Sequence, residues 1–73
     1  MSEELKDMVE DAYFTAILNG YSFKYCTNES VADDILDYNS EISEYVVMNG
    51  EIDPNRYVEL VDIITGIRDE YDV

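Results

Sequence analysis

Residues 30–48 read SVADDILDYNSEISEYVVM and carry the clearest helical pattern in the chain. On a wheel with about 100° per residue, apolar side chains share one face: Val31, Ile35, Tyr38, Ile42, Tyr45 and Val46. Carboxylates share the other: Asp33, Asp34, Asp37, Glu41 and Glu44. Because the pattern continues through Asn39 and Ser40, and only a continuous helix keeps the acids at 37, 41 and 44 in register, we predict one helix ended by Gly50. Those two residues could also end one short helix and cap another.

The end of this stretch has two further interpretations. Asn49-Gly50 after Val-Val-Met is a hairpin signal, so residues 45–52 could form two short strands instead of a helix end. Residues 49–53 also resemble the middle of an EF-hand calcium loop. In that register the positions that need carboxylates hold Tyr45, Val47 and Arg56. We therefore predict no metal site.

Residues 3–18 form the first predicted helix. Ser2 can cap it, and Asn19-Gly20 is a typical stop. Its apolar face consists of Leu5, Met8, Val9, Ala12, Tyr13 and Ala16. Its acidic face consists of Glu3, Glu4, Asp7, Glu10 and Asp11.

The last predicted helix begins at Asp53 as N-cap, with Pro54 in the first helical position. The buried stripe is expected to comprise Tyr57, Leu60, Val61, Ile64, Ile67 and Tyr71. The acids expected to face outward are Glu59, Asp62, Asp69 and Glu70. This helix, like the other two, separates apolar from acidic side chains.

Residues 21–27 join the first two helices and alternate Tyr21, Phe23 and Tyr25 with smaller or polar residues. Since no partner strand is evident, an extended connector is expected, although pairing with a neighbour stays open. The predicted fold is mainly all-α: a small three-helix bundle with a short extended aromatic connector between the first two helices. Residues 1–73 are expected to form one domain.

The composition is strongly acidic, with 18 Asp and Glu against 4 Lys and Arg and a formal charge of −14. Binding nucleic acid or an anionic membrane requires cations, so neither is an expected direct partner. Leu, Ile, Val and Phe supply 20 of the 73 residues, enough to predict folding rather than disorder. The core is small and the charges repel, so a homodimer would help stability.

Few residues are suited to catalysis. Histidine is absent, and Cys26 therefore has no histidine to activate it; a buried structural thiol is its expected role. Neither a glycine-rich phosphate loop nor a nucleophile elbow occurs. We predict no enzymatic activity and no cofactor. The sequence lacks a secretory signal and any apolar run of about 20 residues, so a cytoplasmic protein without a membrane span is expected.

The charge distribution suggests a function. Carboxylates three or four positions apart on a helix lie about 5–6 Å from each other, comparable to the charge spacing of DNA phosphates. The alternative is that these acids are merely the solvated faces of amphipathic helices. Such faces usually mix Lys with Glu, whereas these hold almost no cations. The predicted phosphate-mimicking residues are Asp7, Glu10, Asp11, Asp33, Asp34, Asp37, Glu41, Glu44, Glu59 and Asp62.

In size, acidity, lack of histidine and richness in Tyr, Asn and Asp, the chain resembles the small acidic DNA-mimic inhibitors made by bacteriophages. The resemblance involves no shared motif. It implies inhibition of a basic nucleic-acid-binding host protein, such as a nucleoid protein, sliding clamp, RNA polymerase or defence nuclease, in the host cytoplasm. The alternative is an acidic helical adaptor or regulatory protein that docks through an apolar or aromatic surface. Tyr21, Phe23 and Tyr25 are possible aromatic anchors, or else a lid over the core.

Overall fold

The computed structural model describes residues 3–71. That part of the chain contains four helices and one two-stranded antiparallel sheet, so the mainly helical prediction is confirmed, but the helices number four rather than three. In chain order the elements are α1 (Glu3–Leu18), α2 (Asn28–Tyr38), α3 (Ser40–Val46), β1 (Val47–Met48), β2 (Glu51–Ile52) and α4 (Pro54–Tyr71). The predicted cap at Ser2 lies outside the described residues.

Helix α1 has the predicted limits and ends at the predicted stop. Gly20 adopts a positive φ of 94°, a conformation that glycine adopts without strain. The Gly20 amide donates to the Ile17 carbonyl at 3.0 Å, and the Tyr21 amide donates to the Ala16 carbonyl at 3.0 Å. This pair of bonds is the Schellman motif, which satisfies carbonyls at a helix end.

The prediction of one helix over residues 30–48 is wrong, because Asn39 divides the segment. Its backbone is extended (φ −119°, ψ 106°), and its amide donates to the Ile35 carbonyl at the end of α2. Its side-chain Oδ1 accepts from the Ile42 amide at 3.0 Å and so caps α3. An asparagine side chain that bonds to nearby backbone competes with continuation of the helix.

The chain after α3 forms a hairpin, so the predicted helix end at Gly50 is also wrong. Val47 pairs with Ile52 and Met48 with Glu51. Asn49 (φ 54°) and Gly50 (φ 81°) form the two-residue turn, with the two positive φ angles expected of a type I′ turn. The hairpin alternative is therefore correct. Its strands cover residues 47–48 and 51–52, so the hairpin is shorter than the range 45–52 in the prediction.

Helix α4 begins as predicted. Pro54 is its first residue, and Asp53 Oδ1 accepts from the Asn55 amide at 3.0 Å and the Arg56 amide at 3.4 Å. The side-chain cap satisfies amides that have no partner within the helix. This local signal was sufficient to place the helix start.

The core draws on every helix and on the connector. Its buried members are Leu5, Val9, Tyr13, Phe23, Val31, Ala32, Ile35, Ile42, Val46, Leu60, Ile63, Ile64 and Ile67. Two expectations fail: Tyr38 is 76% exposed and Tyr71 is about half exposed, although both were assigned to apolar stripes. Ile63 is buried without having been predicted so.

The connector between α1 and α2 is not a strand, as predicted, but it is not extended throughout, because the Cys26 amide donates to the Phe23 carbonyl at 3.0 Å and closes a turn. Phe23 is buried and stacks on Tyr13 with 4.9 Å between ring centroids. Arg68 of α4 holds the connector in place: its guanidinium donates to the carbonyls of Phe23 (2.9 Å) and Cys26 (2.8 Å). It also donates to Asn28 Oδ1 at 2.9 Å. Across residues 3–71, no helix has the length and apolar character needed to cross a membrane.

Candidate functional site

The ten predicted phosphate-mimicking residues all lie on helices within residues 3–71, and none of them is buried. Seven are exposed: Asp7, Asp11, Asp33, Asp37, Glu41, Glu44 and Asp62. Three are half-exposed: Glu10, Asp34 and Glu59. The carboxylates are therefore accessible to a partner.

Internal cations neutralise almost none of this charge. Lys6 and Glu10 form an ion pair at 3.8 Å on neighbouring turns of α1. Arg56 donates to the Tyr45 carbonyl at 2.9 Å and stacks over the Tyr45 ring. With Arg68 bound to the connector, both arginines donate to backbone carbonyls and stabilise the fold.

Tyrosine hydroxyls hold two of the carboxylates. The Tyr57 hydroxyl donates to Asp33 at 3.0 Å, and the Tyr45 hydroxyl donates to Glu59 at 3.0 Å. A neutral donor fixes the position of a carboxylate without cancelling its charge. These bonds therefore give the Asp33 and Glu59 side chains a set orientation.

A groove between α1 and α2 brings predicted residues of two helices together. Asp11 of α1 and Asp34 of α2 both line this cavity of about 440 Å³. The apolar lining is supplied by Ala12, Ala16, Phe23 and Ile35, and the aromatic lining by Tyr21 and Tyr38. We call this cavity the α1/α2 groove.

A second, smaller groove lies between α1 and α4 and has a volume of about 210 Å³. Glu10, Asp62 and Glu70 line it together with Lys6. Gly66 contributes to the lining, and a Cβ at this position would meet nothing within 4 Å. Glu70, which was expected only to face outward, thus joins two predicted residues.

The other predicted acids are not gathered into one row. Asp37 is on α2, whereas Glu41 and Glu44 are on α3 beyond the break at Asn39. The continuous register of these three residues along one helix, which motivated the single-helix prediction, is therefore absent. Carboxylates are distributed over all four helices and flank the grooves between them.

The three possible aromatic anchors differ in exposure. Phe23 belongs to the core, as the lid interpretation expects, whereas Tyr21 is about half exposed and Tyr25 is 92% exposed. Tyr38 was not predicted as a site residue, but its hydroxyl lies 3.3 Å from that of Tyr21. The sequence feature that could have indicated the exposure of Tyr38 is its position in the last helical turn before Asn39.

The structure also places the residues of the calcium-loop resemblance and the single cysteine. Asn49 and Gly50 form the hairpin turn, and no group of three or more Cys, Asp or Glu side chains within residues 3–71 is placed to hold a metal ion. Cys26 is half-buried beside the core rather than fully buried.

Comparisons with protein-family models, curated proteins and solved structures find no match to this chain.

The uncompensated charge predicts that salt stabilises the fold. Two carboxylates about 10 Å apart in water repel by about 0.4 kcal/mol, and raising ionic strength from 0.01 M to 1 M shortens the Debye length from about 30 Å to about 3 Å. We expect the thermal midpoint, followed by circular dichroism, to rise with NaCl at pH 7. The rise should shrink near the isoelectric point of about 4.1. An unchanged or falling midpoint at pH 7 would contradict this prediction.

Tyrosine ionisation predicts a loss of stability at alkaline pH. Burial raises the pKa of Tyr13, and burial together with the hydrogen bond to Asp33 raises the pKa of Tyr57 above its usual 10.0. The bond to Glu59 raises the pKa of Tyr45. Because these folded-state pKa values exceed the unfolded value, their stabilisation is complete below about pH 10 and disappears as pH rises through them.

Thermal melts between about pH 8 and pH 11, with tyrosinate absorbance recorded in parallel, test this expectation. Tyr57→Phe should reduce the pH dependence, because it removes one of the shifted groups. Tyr25→Phe is the matched control, since Tyr25 is exposed, and it should leave the dependence unchanged. Equal behaviour of the two variants would refute the assignment to Tyr57.

Proposed function

We propose that this protein is a DNA mimic, which occupies the basic nucleic-acid-binding surface of a host DNA-binding protein and thereby inhibits it. The observation that carries the proposal is the lack of internal neutralisation. Within residues 3–71, the Lys6–Glu10 ion pair accompanies a large set of accessible carboxylates, and both arginines bind backbone carbonyls. A surface of this kind is complementary to clustered Lys and Arg.

The linear charge density supports the comparison with DNA. Removing Asp72, which is not described, from the 18 acids leaves 17 against 4 cations, a net charge of −13. The molecule is 33 Å long, and dividing 33 Å by 13 gives about 2.5 Å per net charge. Duplex DNA carries one charge per about 1.7 Å of its axis. The protein thus approaches the density to which a DNA-binding surface is adapted.

The α1/α2 groove offers the most DNA-like arrangement. Asp7 and Asp11 are one helical turn apart on α1, while Asp34 and Asp37 are three positions apart on α2. Asp11 and Asp34 line the groove from its two helices, whereas Asp7 and Asp37 lie outside the lining. Carboxylates carried by two neighbouring helices resemble the phosphates on either side of a DNA groove. These four residues are the core of the proposed interface.

The resemblance to bacteriophage DNA-mimic inhibitors suggests where the protein acts and on which kind of target. Small size, high acidity and lack of histidine are shared with bacteriophage inhibitors of nucleoid proteins, sliding clamps, RNA polymerase and defence nucleases. We propose a target of this kind in the cytoplasm of a bacterial host. Under this proposal the protein itself does not bind nucleic acid and catalyses no reaction.

A second candidate function, an acidic adaptor, is favoured by exposed apolar side chains. Leu18 is 86% exposed and Tyr25 is 92% exposed. Docking through them, to another protein or to a second copy of this chain, would use acidity only for solubility and association rate. Leu18→Ser with Tyr25→Ser should then abolish binding. DNA mimicry predicts little effect. Phe23 is unsuitable for this test because it is buried.

The test is capture of partners from bacterial lysate on the immobilised protein, with elution in a salt gradient. DNA mimicry predicts that a nucleic-acid-binding protein is retained, elutes at moderate salt, and is released at low salt by duplex DNA. Polyglutamate at equal charge concentration should release it less effectively, because its carboxylates are not held in a DNA-like arrangement. Retention that survives high salt and excess DNA would support the adaptor instead.

A further inference from the structure

We propose that the α1/α2 groove is a binding site for an arginine side chain of the partner protein. This inference rests on the proposed function, because it assumes a basic partner. It adds which side chain of the partner binds, an arginine, and where it binds, the α1/α2 groove. Asp11 and Asp34 supply the negative charge, and the groove lining supplies apolar and aromatic surface.

The groove has the size and composition of a ligand site. Its volume of about 440 Å³ falls within the range of about 300–1,000 Å³ typical of small-molecule pockets. Phe23 and Ile35 are buried members of the core, so this part of the lining is preformed. The methylene groups of a long basic side chain can pack on such a surface while the charged end reaches a carboxylate.

The two tyrosines favour a planar cation. The rings of Tyr21 and Tyr38 are 6.2 Å apart at 65°, and their hydroxyls are 3.3 Å apart. Tyr38 is largely exposed, so its ring is open to contact. Guanidinium stacks on aromatic faces and is more weakly hydrated than an ammonium group, which favours arginine over lysine in an apolar groove.

The carboxylates of the groove are available. Neither Asp11 nor Asp34 forms an ion pair or a side-chain hydrogen bond with another residue of the 3–71 region. The hydrogen bond with Tyr38 is the main cause of the raised pKa of Tyr21, and the charge of Asp34 makes a smaller contribution. A cation in the groove would therefore have a carboxylate on each helix and aromatic rings nearby.

A second copy of this chain is a poor source of the arginine. Its two arginines are Arg56 and Arg68, and both bind backbone carbonyls of their own fold. The two lysines are Lys6, which is paired with Glu10, and Lys24, which lies over the Tyr25 ring. The occupant must come from a different protein.

The experiment titrates the isotopically labelled protein with the capped tripeptide Ala-Arg-Ala and follows amide chemical shifts by NMR. Matched peptides carry lysine or neutral citrulline in place of arginine. We expect shifts confined to residues around the groove, with weaker binding for lysine and binding at least about fivefold weaker for citrulline, since an exposed cation–π contact plus a charge pair contributes about 1 kcal/mol or more. Equal binding of citrulline, or shifts elsewhere, would overturn the proposal.

Variants provide the matched control. Asp34→Asn and Glu29→Gln each remove one charge from α2, but only Asp34 lines the groove. Asp34→Asn and Tyr38→Ala should each weaken arginine binding severalfold, while Glu29→Gln should change it less than about twofold, as expected for a screened charge. Equal loss in Asp34→Asn and Glu29→Gln would show diffuse attraction rather than a site.

The two proposals can fail separately. If DNA competes for the captured partner but the arginine peptide does not bind in the groove, this inference is overturned and the proposed function stands. If the peptide binds in the groove but DNA and the protein occupy the partner together, the proposed function fails and the groove remains an arginine site.

Discussion

Replacing Arg68 with methionine is expected to lower the free energy of unfolding by about 4.5 kcal/mol or more, since hydrogen bonds to a charged donor contribute about 1.5–3 kcal/mol each. The guanidinium makes three such bonds, to the carbonyls of Phe23 and Cys26 and to Asn28 Oδ1. Methionine keeps the apolar stem but leaves these acceptors without that donor. Because small domains have about 5–15 kcal/mol of stability, the variant should be largely or partly unfolded.

Urea denaturation followed by circular dichroism measures this effect. Arg56→Met is the matched control, because Arg56 makes one carbonyl bond and one stacking contact to Tyr45. We expect its loss to be about 1.5–3 kcal/mol, in line with a single charged bond. If the two variants lose equal stability, Arg68 does not have the special structural role inferred from its three bonds.

Neutralising four carboxylates on α1 and α2, two of which line the α1/α2 groove, is expected to weaken partner binding by roughly 4- to 900-fold, since exposed ion pairs contribute about 0.2–1 kcal/mol each. The variant combines Asp7→Asn, Asp11→Asn, Asp34→Asn and Asp37→Asn. None of the four residues is buried, and none makes a side-chain bond with another described residue. The fold should therefore persist, or gain stability from reduced repulsion.

The control variant removes the same number of charges elsewhere: Glu3→Gln, Glu29→Gln, Glu51→Gln and Asp69→Asn. These residues are exposed and belong to α1, α2, β2 and α4. Isothermal titration against the captured partner should give a loss several times smaller than for the groove variant. Equal losses of affinity in the two variants would mean that partner binding depends only on net charge and not on the position of the carboxylates on α1 and α2.

Local sequence features were sufficient for the ends of two helices. The stop at Gly20 and the start at Asp53-Pro54 depend on backbone conformation and capping within a few residues, so the sequence alone determines them. The break at Asn39 was not predictable from periodicity. Ile35 and Ile42 are seven positions apart and both belong to the core, so the apolar pattern is the same with or without the break.

Features that depend on distant parts of the chain could not be predicted. Arg68 binds the Phe23 carbonyl 45 positions away, and nothing near Arg68 in the sequence indicates that partner. Acidic side chains were correctly expected at the surface, because burying an unpaired charge is costly. That Asp11 and Asp34 line one groove depends on how α1 packs against α2.

The most direct measurement is displacement of a fluorescent DNA duplex from the captured partner, recorded by anisotropy at several salt concentrations. DNA mimicry predicts mutually exclusive binding: the protein releases the duplex completely, and its affinity falls steeply and linearly on a logarithmic salt scale, as DNA affinity does. A ternary complex of duplex, partner and protein, with an affinity that barely changes with salt, would contradict it.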